Sequence, residues 1–119
     1  MDGPIKTRSF ADASRKMLLF AQYLYSVRLP QAAEAYEDFA RQLENGVTAD
    51  RLNDICNDVL SSLRAGPMTI SDRYITKPDG SPDTTETDNY YVLIDELRKF
   101  ARSNLHRKKI ARFFPGFRQ

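Results

Sequence analysis

Apolar residues recur at three- and four-residue steps along three successive segments of this chain, and a proline or glycine follows each segment. This spacing, with a helix-ending proline or glycine after each segment, predicts amphipathic helices. The first helix is expected from Phe10 to about Arg28, and Leu29-Pro30 should end it because the residue before a proline avoids the α region. Its apolar positions are Phe10, Ala13, Met17, Phe20, Ala21, Leu24 and Val27.

Two more helices follow with short connections, which favours antiparallel neighbours. Pro30 suits the first turn of the second helix, whose stripe includes Ala32, Ala35, Tyr36, Phe39, Ala40 and Leu43. Asn45-Gly46 predicts its C-terminal stop. The third helix should be capped by Thr48 or Asp50 and closed by Gly66-Pro67. Its apolar arc is Leu52, Ile55, Cys56, Val59, Leu60 and Leu63.

Residues 66–86 break the helical pattern and predict a long irregular loop. A short strand could form over residues 68–76, and residues 77–80 predict a turn. Pro82 argues against a regular hairpin because proline cannot donate to a strand ladder. A capping box over residues 85–88 should open the last helix, expected from about Asp88 towards Arg112. A strand over residues 90–94 is the weaker alternative.

The predicted fold is therefore all-α: a small four-helix bundle with a long irregular loop before the last helix. At 119 residues the chain can bury one core, so residues 1–119 are expected to form one domain. Residues 1–8 are expected to be a loose arm, and residues 106–119 a basic aromatic tail that leaves the core after Leu105. Lys108 interrupts the apolar arc there.

The absence of certain sequence features limits the cellular location and the partners that we expect. The first ten residues form no hydrophobic signal region, and no apolar run approaches the ~18 residues that a membrane span requires. The single cysteine excludes an internal disulfide framework and fits a reducing compartment. A cytoplasmic location, or a nuclear one, with no membrane partner is the expectation.

Catalytic patterns are also scarce. The only histidine, His106, has basic neighbours and no orienting carboxylate. We therefore expect it to be a surface residue rather than a general base. Cys56 lies on the apolar arc of the third helix and should be a buried thiol. Residues 79–83 fail the calcium-loop pattern because Thr84 and Tyr90 stand where Gly and Glu are required. We expect no enzyme, no metal and no cofactor.

Acidic side chains step by four residues along the second and third predicted helices. They are Glu34 and Asp38, and Asp50, Asp54 and Asp58. Such a row could hold a divalent cation, but a solvated acidic face is far commoner, and no matching Glu-x-x-His pair is present. These faces could also complement the basic segment of a second copy, which leaves a homo-oligomer such as a dimer open.

Positive charge is concentrated at the end of the sequence. Residues 98–119, the basic segment, carry eight Lys or Arg and no acidic residue, whereas residues 1–65 have a net charge of −1 and residues 66–97 of −5. On a helix, Arg98, Arg102 and Lys109 would fall within about 40° of one another. Such a row can follow phosphates, with binding that weakens as salt rises. Helix-dipole stabilisation or solubility is the alternative explanation.

Two functional hypotheses follow. The first is a non-enzymatic protein that binds DNA or RNA through the predicted nucleic-acid-binding residues Arg98, Lys99, Arg102, His106, Arg107, Lys108, Lys109 and Arg112. The second is a protein–protein interaction module, an adaptor, assembly factor or inhibitor, whose basic segment meets an acidic protein surface. Aromatic side chains in the tail could stack on bases, fold back onto the bundle or bind a protein partner. They are Phe113, Phe114 and Phe117.

Overall fold

The computed structural model describes residues 7–64 and 69–105, which form an all-α bundle. Its helices are α1 (Ala11–Ser26), α2 (Pro30–Asn45), α3 (Ala49–Ser62) and α4 (Thr84–Asn104). One turn of 3-10 helix, Ile70–Asp72, lies in the connection between α3 and α4. The predicted four-helix bundle with an irregular loop before its last helix is confirmed.

Aromatic side chains join three of the helices at the centre. Phe20 on α1 meets Tyr36 on α2 edge-on, with ring centroids 5.0 Å apart, and stacks on Tyr90 of α4 at 5.5 Å. All three side chains are buried. α1 and α2 form an antiparallel hairpin, and α4 packs against both α1 and α3. The apolar stripes predicted for the first three helices therefore meet in one core, except that Ala35 is exposed.

The end of α1 is a Schellman motif. The amide of Arg28 donates to the Tyr25 carbonyl at 3.1 Å, and the amide of Leu29 donates to the Leu24 carbonyl at 2.9 Å. Arg28 has a φ of 65°, in the left-handed region where glycine is usual. Pro30 then opens α2 at its first turn, as the sequence predicts.

The corner between α2 and α3 is tied to the N-terminal residues. Arg8 and Val47 form an antiparallel bridge, with N–O distances of 3.0 and 2.9 Å. Gly46 stops α2 with a φ of 108°, and a Cβ there would meet the Thr7 hydroxyl at 3.2 Å. The predicted loose arm is thus wrong at Arg8, whereas residues 1–6 lie outside the described residues.

Local hydrogen bonds organise the loop before α4. The Asp79 carboxylate accepts from the amide of Ser81 at 2.9 Å in the predicted turn, and Thr76 and Pro82 form one isolated bridge. Within residues 69–83 this bridge is the only strand-like pairing, so no regular hairpin forms. Residues 65–68, which include the predicted stop at Gly66-Pro67, lie outside the described residues.

The predicted start of α4 is wrong. The Asp83 side chain accepts from the amide of Glu86 at 3.1 Å, so α4 begins at Thr84 and the loop ends three residues earlier than expected. Residues 90–94 are helical, which removes the strand alternative. α4 ends at Asn104, and the predicted continuation towards Arg112 falls among residues 106–119, outside the described residues.

Candidate nucleic-acid interface

The last two turns of α4 position the first three residues of the basic segment. Arg98 is half-buried, and its Nη2 donates to the carbonyl of Leu63 and to the Ser71 hydroxyl, the latter at 3.2 Å. The side chain therefore joins α4 to the end of α3 and to the 3-10 helix. Its backbone partner is distant in sequence, so no local pattern reveals this structural role.

Lys99 and Arg102 differ from Arg98 in being exposed. Lys99 forms an ion pair with Asp95 one turn earlier, at 3.2 Å, and such exposed helix pairs contribute only about 0.3–0.5 kcal/mol. Within residues 7–64 and 69–105, Arg102 forms no ion pair. Lys99 can therefore exchange Asp95 for another anion at little cost, and Arg102 is open to one directly.

The remaining predicted interface residues lie outside the described residues. They are His106, Arg107, Lys108, Lys109, Arg112, Phe113, Phe114 and Phe117. The structure thus describes Arg98, Lys99 and Arg102 at the C-terminal end of α4, and nucleic-acid binding by any of the predicted residues stays a prediction.

The acidic faces are solvent-facing helix surfaces. Asp54 and Asp58 are exposed on α3, and Asp38 on α2 pairs with Arg41 and accepts from the Gln42 amide at 2.7 Å. In the described ranges, no three His, Cys, Asp or Glu side chains are grouped to hold a metal ion. Nor is any helix there both long enough and apolar enough to cross a membrane.

Cys56 is fully buried on the inner face of α3, as predicted. Burial raises the pKa of its thiol to about 11, because the apolar surroundings disfavour the thiolate. A nucleophilic cysteine requires an accessible thiolate near neutral pH. The environment of Cys56 is that of a structural thiol.

An exposed apolar face on α1 had no separate signal in the sequence, because its residues extend the same apolar pattern as the core. Leu18 and Leu19 are each 45% exposed, and Tyr25 is 43% exposed. The Tyr25 hydroxyl donates to Glu37 at 3.0 Å, which leaves its ring at the surface. Leu18 and Tyr25 are seven residues apart and lie on the same side of α1, whereas Leu19 lies about 100° away. Tyrosine is enriched in protein interfaces.

Comparisons with protein-family models, with curated protein sequences and with solved structures give no match to this chain.

Proposed function

We propose that this is a non-enzymatic protein that binds nucleic acid through the basic segment, starting at the C-terminal end of α4. One observation carries the proposal: residues 98–119 hold eight cationic side chains and no carboxylate. The exposed Arg102, which has no ion pair in the described part of the chain, supports it. A cytoplasmic or nuclear site of action would follow, where both DNA or RNA and a reduced Cys56 are available.

Phosphate binding accounts for the charge better than the helix dipole does. Cations near the end of a helix gain about 0.3–1 kcal/mol each, but only within the last turn. That effect covers Arg102 and cannot explain eight cations over twenty-two residues. A run of cations that neutralises phosphates releases the condensed counterions, which gives affinity without base recognition.

The test is fluorescence anisotropy with labelled single- and double-stranded DNA and RNA at two salt concentrations. The test variant combines Arg102→Gln, Lys108→Gln and Lys109→Gln. Arg98 is left intact because its side chain holds Leu63 and Ser71. The matched control combines Arg15→Gln, Arg41→Gln and Lys77→Gln, three exposed cations outside the segment. Both variants lower the net charge of +2 by three.

We expect the parent to bind at low salt and to lose affinity several-fold as salt rises. The control should retain most of that affinity, whereas the test variant should bind at least about tenfold more weakly, with a shallower salt dependence. Equal weakening in both variants would mean that net charge alone drives binding. That outcome, or no binding by the parent at low salt, would refute the proposal.

A second candidate, a protein–protein interaction module, is favoured by the exposed apolar face of α1. Substituting Leu18→Glu and Leu19→Glu should abolish such an association without unfolding the bundle, because both side chains are already 45% exposed. Sedimentation at high micromolar concentration tests the self-associating form. A parent protein that remains monomeric at high micromolar concentration would exclude a homodimer. A salt-resistant complex with another protein would support an adaptor function.

A further inference from the structure

A cleft of about 370 Å³ lies where the end of α1 meets the loop that follows the 3-10 helix. We call it the corner cleft. Its walls include Arg28 from the end of α1 and Arg73, Tyr74 and Thr76 from the loop, with Asp72 also lining it. Arg73 is fixed against the N-terminal half of α4 through Tyr91, whereas Arg102 lies in the last turn of that helix. The corner cleft is therefore separate from Arg102 at the described start of the basic segment.

The two arginines of the corner cleft lack the partners that such residues usually have. Neither forms an ion pair within residues 7–64 and 69–105. The Nε of Arg73 is buried and has no hydrogen-bond partner. A buried donor without an acceptor costs about 1–3 kcal/mol. Arg28 and Arg73 thus line the cleft as two cations without an ion pair in the described part of the chain, which favours an anionic ligand there.

The backbone of Arg28 supplies an independent reason to assign it a function. Its φ of 65° places a long side chain in the left-handed position of a Schellman motif, where glycine avoids the steric cost. Residues in sparsely populated backbone regions cluster at functional sites. Here Arg28 lines a cleft that Arg73 also lines.

The loop side of the corner cleft is held in place by α4. The Tyr91 hydroxyl donates to the carbonyl of Arg73 at 2.6 Å, and the Thr87 hydroxyl accepts from the amide of Ile75 at 2.9 Å. The residues on either side of Tyr74 are thus tied to one helix. A site built on such fixed backbone loses less entropy when it binds a ligand.

We propose that the corner cleft binds the phosphate group of a small phosphomonoester, with Arg28 and Arg73 as its cationic ligands. Guanidinium groups match phosphate because each can donate two parallel hydrogen bonds to its oxygens. Tyr74 and Thr76, which also line the cleft, carry hydroxyl groups that can act as further donors. Asp72 opposes a dianion, so we expect a dissociation constant in the high micromolar to millimolar range. The proposal is independent of nucleic-acid binding by the basic segment.

The experiment is a titration of the full ¹⁵N-labelled chain with inorganic phosphate and, separately, with adenosine monophosphate at constant ionic strength, followed by NMR. The readouts are the amides of Arg28, Arg73 and Thr76 and the Nε–H of Arg73. The test variant is Arg28→Gln, whose exposed side chain is not needed for folding, with Arg73→Gln as a second variant. Arg15→Gln, an exposed α1 residue outside the cleft, is the matched control.

We expect saturable shifts at the cleft residues of the parent and of the Arg15→Gln control. Arg28→Gln should weaken binding about tenfold or more, as loss of a charge-assisted hydrogen bond implies. Equal affinity for the two ligands would assign recognition to the phosphate alone, and tighter binding of adenosine monophosphate would add contacts to its sugar or base. Shifts that never saturate, or an Arg28→Gln variant that binds like the parent, would overturn the proposal. Loss of nucleic-acid binding in the Arg102 variant would leave this result unchanged.

Discussion

Arg98 on α4 donates a hydrogen bond to the carbonyl oxygen of Leu63, the C-cap residue that follows α3. The carbonyl oxygens at the end of a helix accept no hydrogen bond from their own helix, so they require donors from elsewhere in the molecule. The Ser71 hydroxyl donates to the same carbonyl at 3.1 Å, and Arg98 also bonds Ser71. One guanidinium thus joins the end of α3, the 3-10 helix and α4.

Arg98→Ala should lower the free energy of unfolding by about 1–3 kcal/mol, because it leaves a half-buried carbonyl with one donor fewer. Urea denaturation measures the change. Arg102→Ala is the control, since an exposed cation without such partners should change stability by less than about 0.5 kcal/mol. Equal effects of the two substitutions would show that the Arg98 bond contributes nothing to stability.

Arg28→Gly should raise the free energy of unfolding by about 0.5–1 kcal/mol, because glycine occupies the left-handed region without the clash of a Cβ. Part of the relief is lost to the greater freedom of glycine in the unfolded chain. Arg28→Ala keeps the Cβ and should show no such gain. Thermal unfolding of both variants compares them, and a glycine variant no more stable than the alanine variant would contradict the assignment of strain.

Cys56 should make the fold sensitive to alkaline pH. Its thiol ionises near 9.0 when exposed, but burial raises the pKa to about 11, so the protonated form is favoured by folding. The contribution is fully present below pH 9 and is lost as pH rises towards 11, at up to about 1.4 kcal/mol per pH unit. Urea denaturation at pH 8 and pH 10.5 measures the loss. Cys56→Ala should show a smaller difference between the two pH values, and an unchanged difference would exclude this source.

Tyr90→Phe should destabilise the loop after α3 more than Tyr91→Phe. The buried Tyr90 hydroxyl donates to the carbonyl of Ile70 at 2.7 Å, and its loss leaves that carbonyl short of a donor at a cost of about 1–2 kcal/mol. Tyr91 donates to the carbonyl of Arg73 at the surface, where water can replace it. Hydrogen exchange of the amides of residues 69–76 is the measurement. Faster exchange in Tyr91→Phe than in Tyr90→Phe would contradict the prediction.

The helices that local chemistry specifies were predictable, and the long-range contacts were not. Pro30 and Gly46 each act on adjacent backbone, so the start and the end of α2 followed from the sequence, and Thr48 is one of the two caps predicted for α3. The start of α4 was missed because the cap was expected over residues 85–88, whereas the Asp83 side chain provides it. The bond from Arg98 to Leu63 depends on how α3 and α4 pack, which periodicity does not encode.

The corner cleft illustrates the same limit. Arg28 and Arg73 line one cleft because the loop after α3 returns along α4 to the end of α1. No sequence signal marked Arg28 either: the first helix was expected to run to about Arg28, whereas α1 ends at Ser26 and Arg28 takes the left-handed position after it. An arginine where glycine is favoured marks a position worth testing for function.

The ring contacts of Phe20 with Tyr36 and Tyr90 give the protein an optical reporter of its own. The chain contains no tryptophan, so its near-ultraviolet circular dichroism arises chiefly from tyrosines. Tyr36 and Tyr90 are buried in chiral surroundings that exist only while α1, α2 and α4 remain packed together. Separation of these helices can therefore be followed in solution without attaching a dye or introducing a new chromophore.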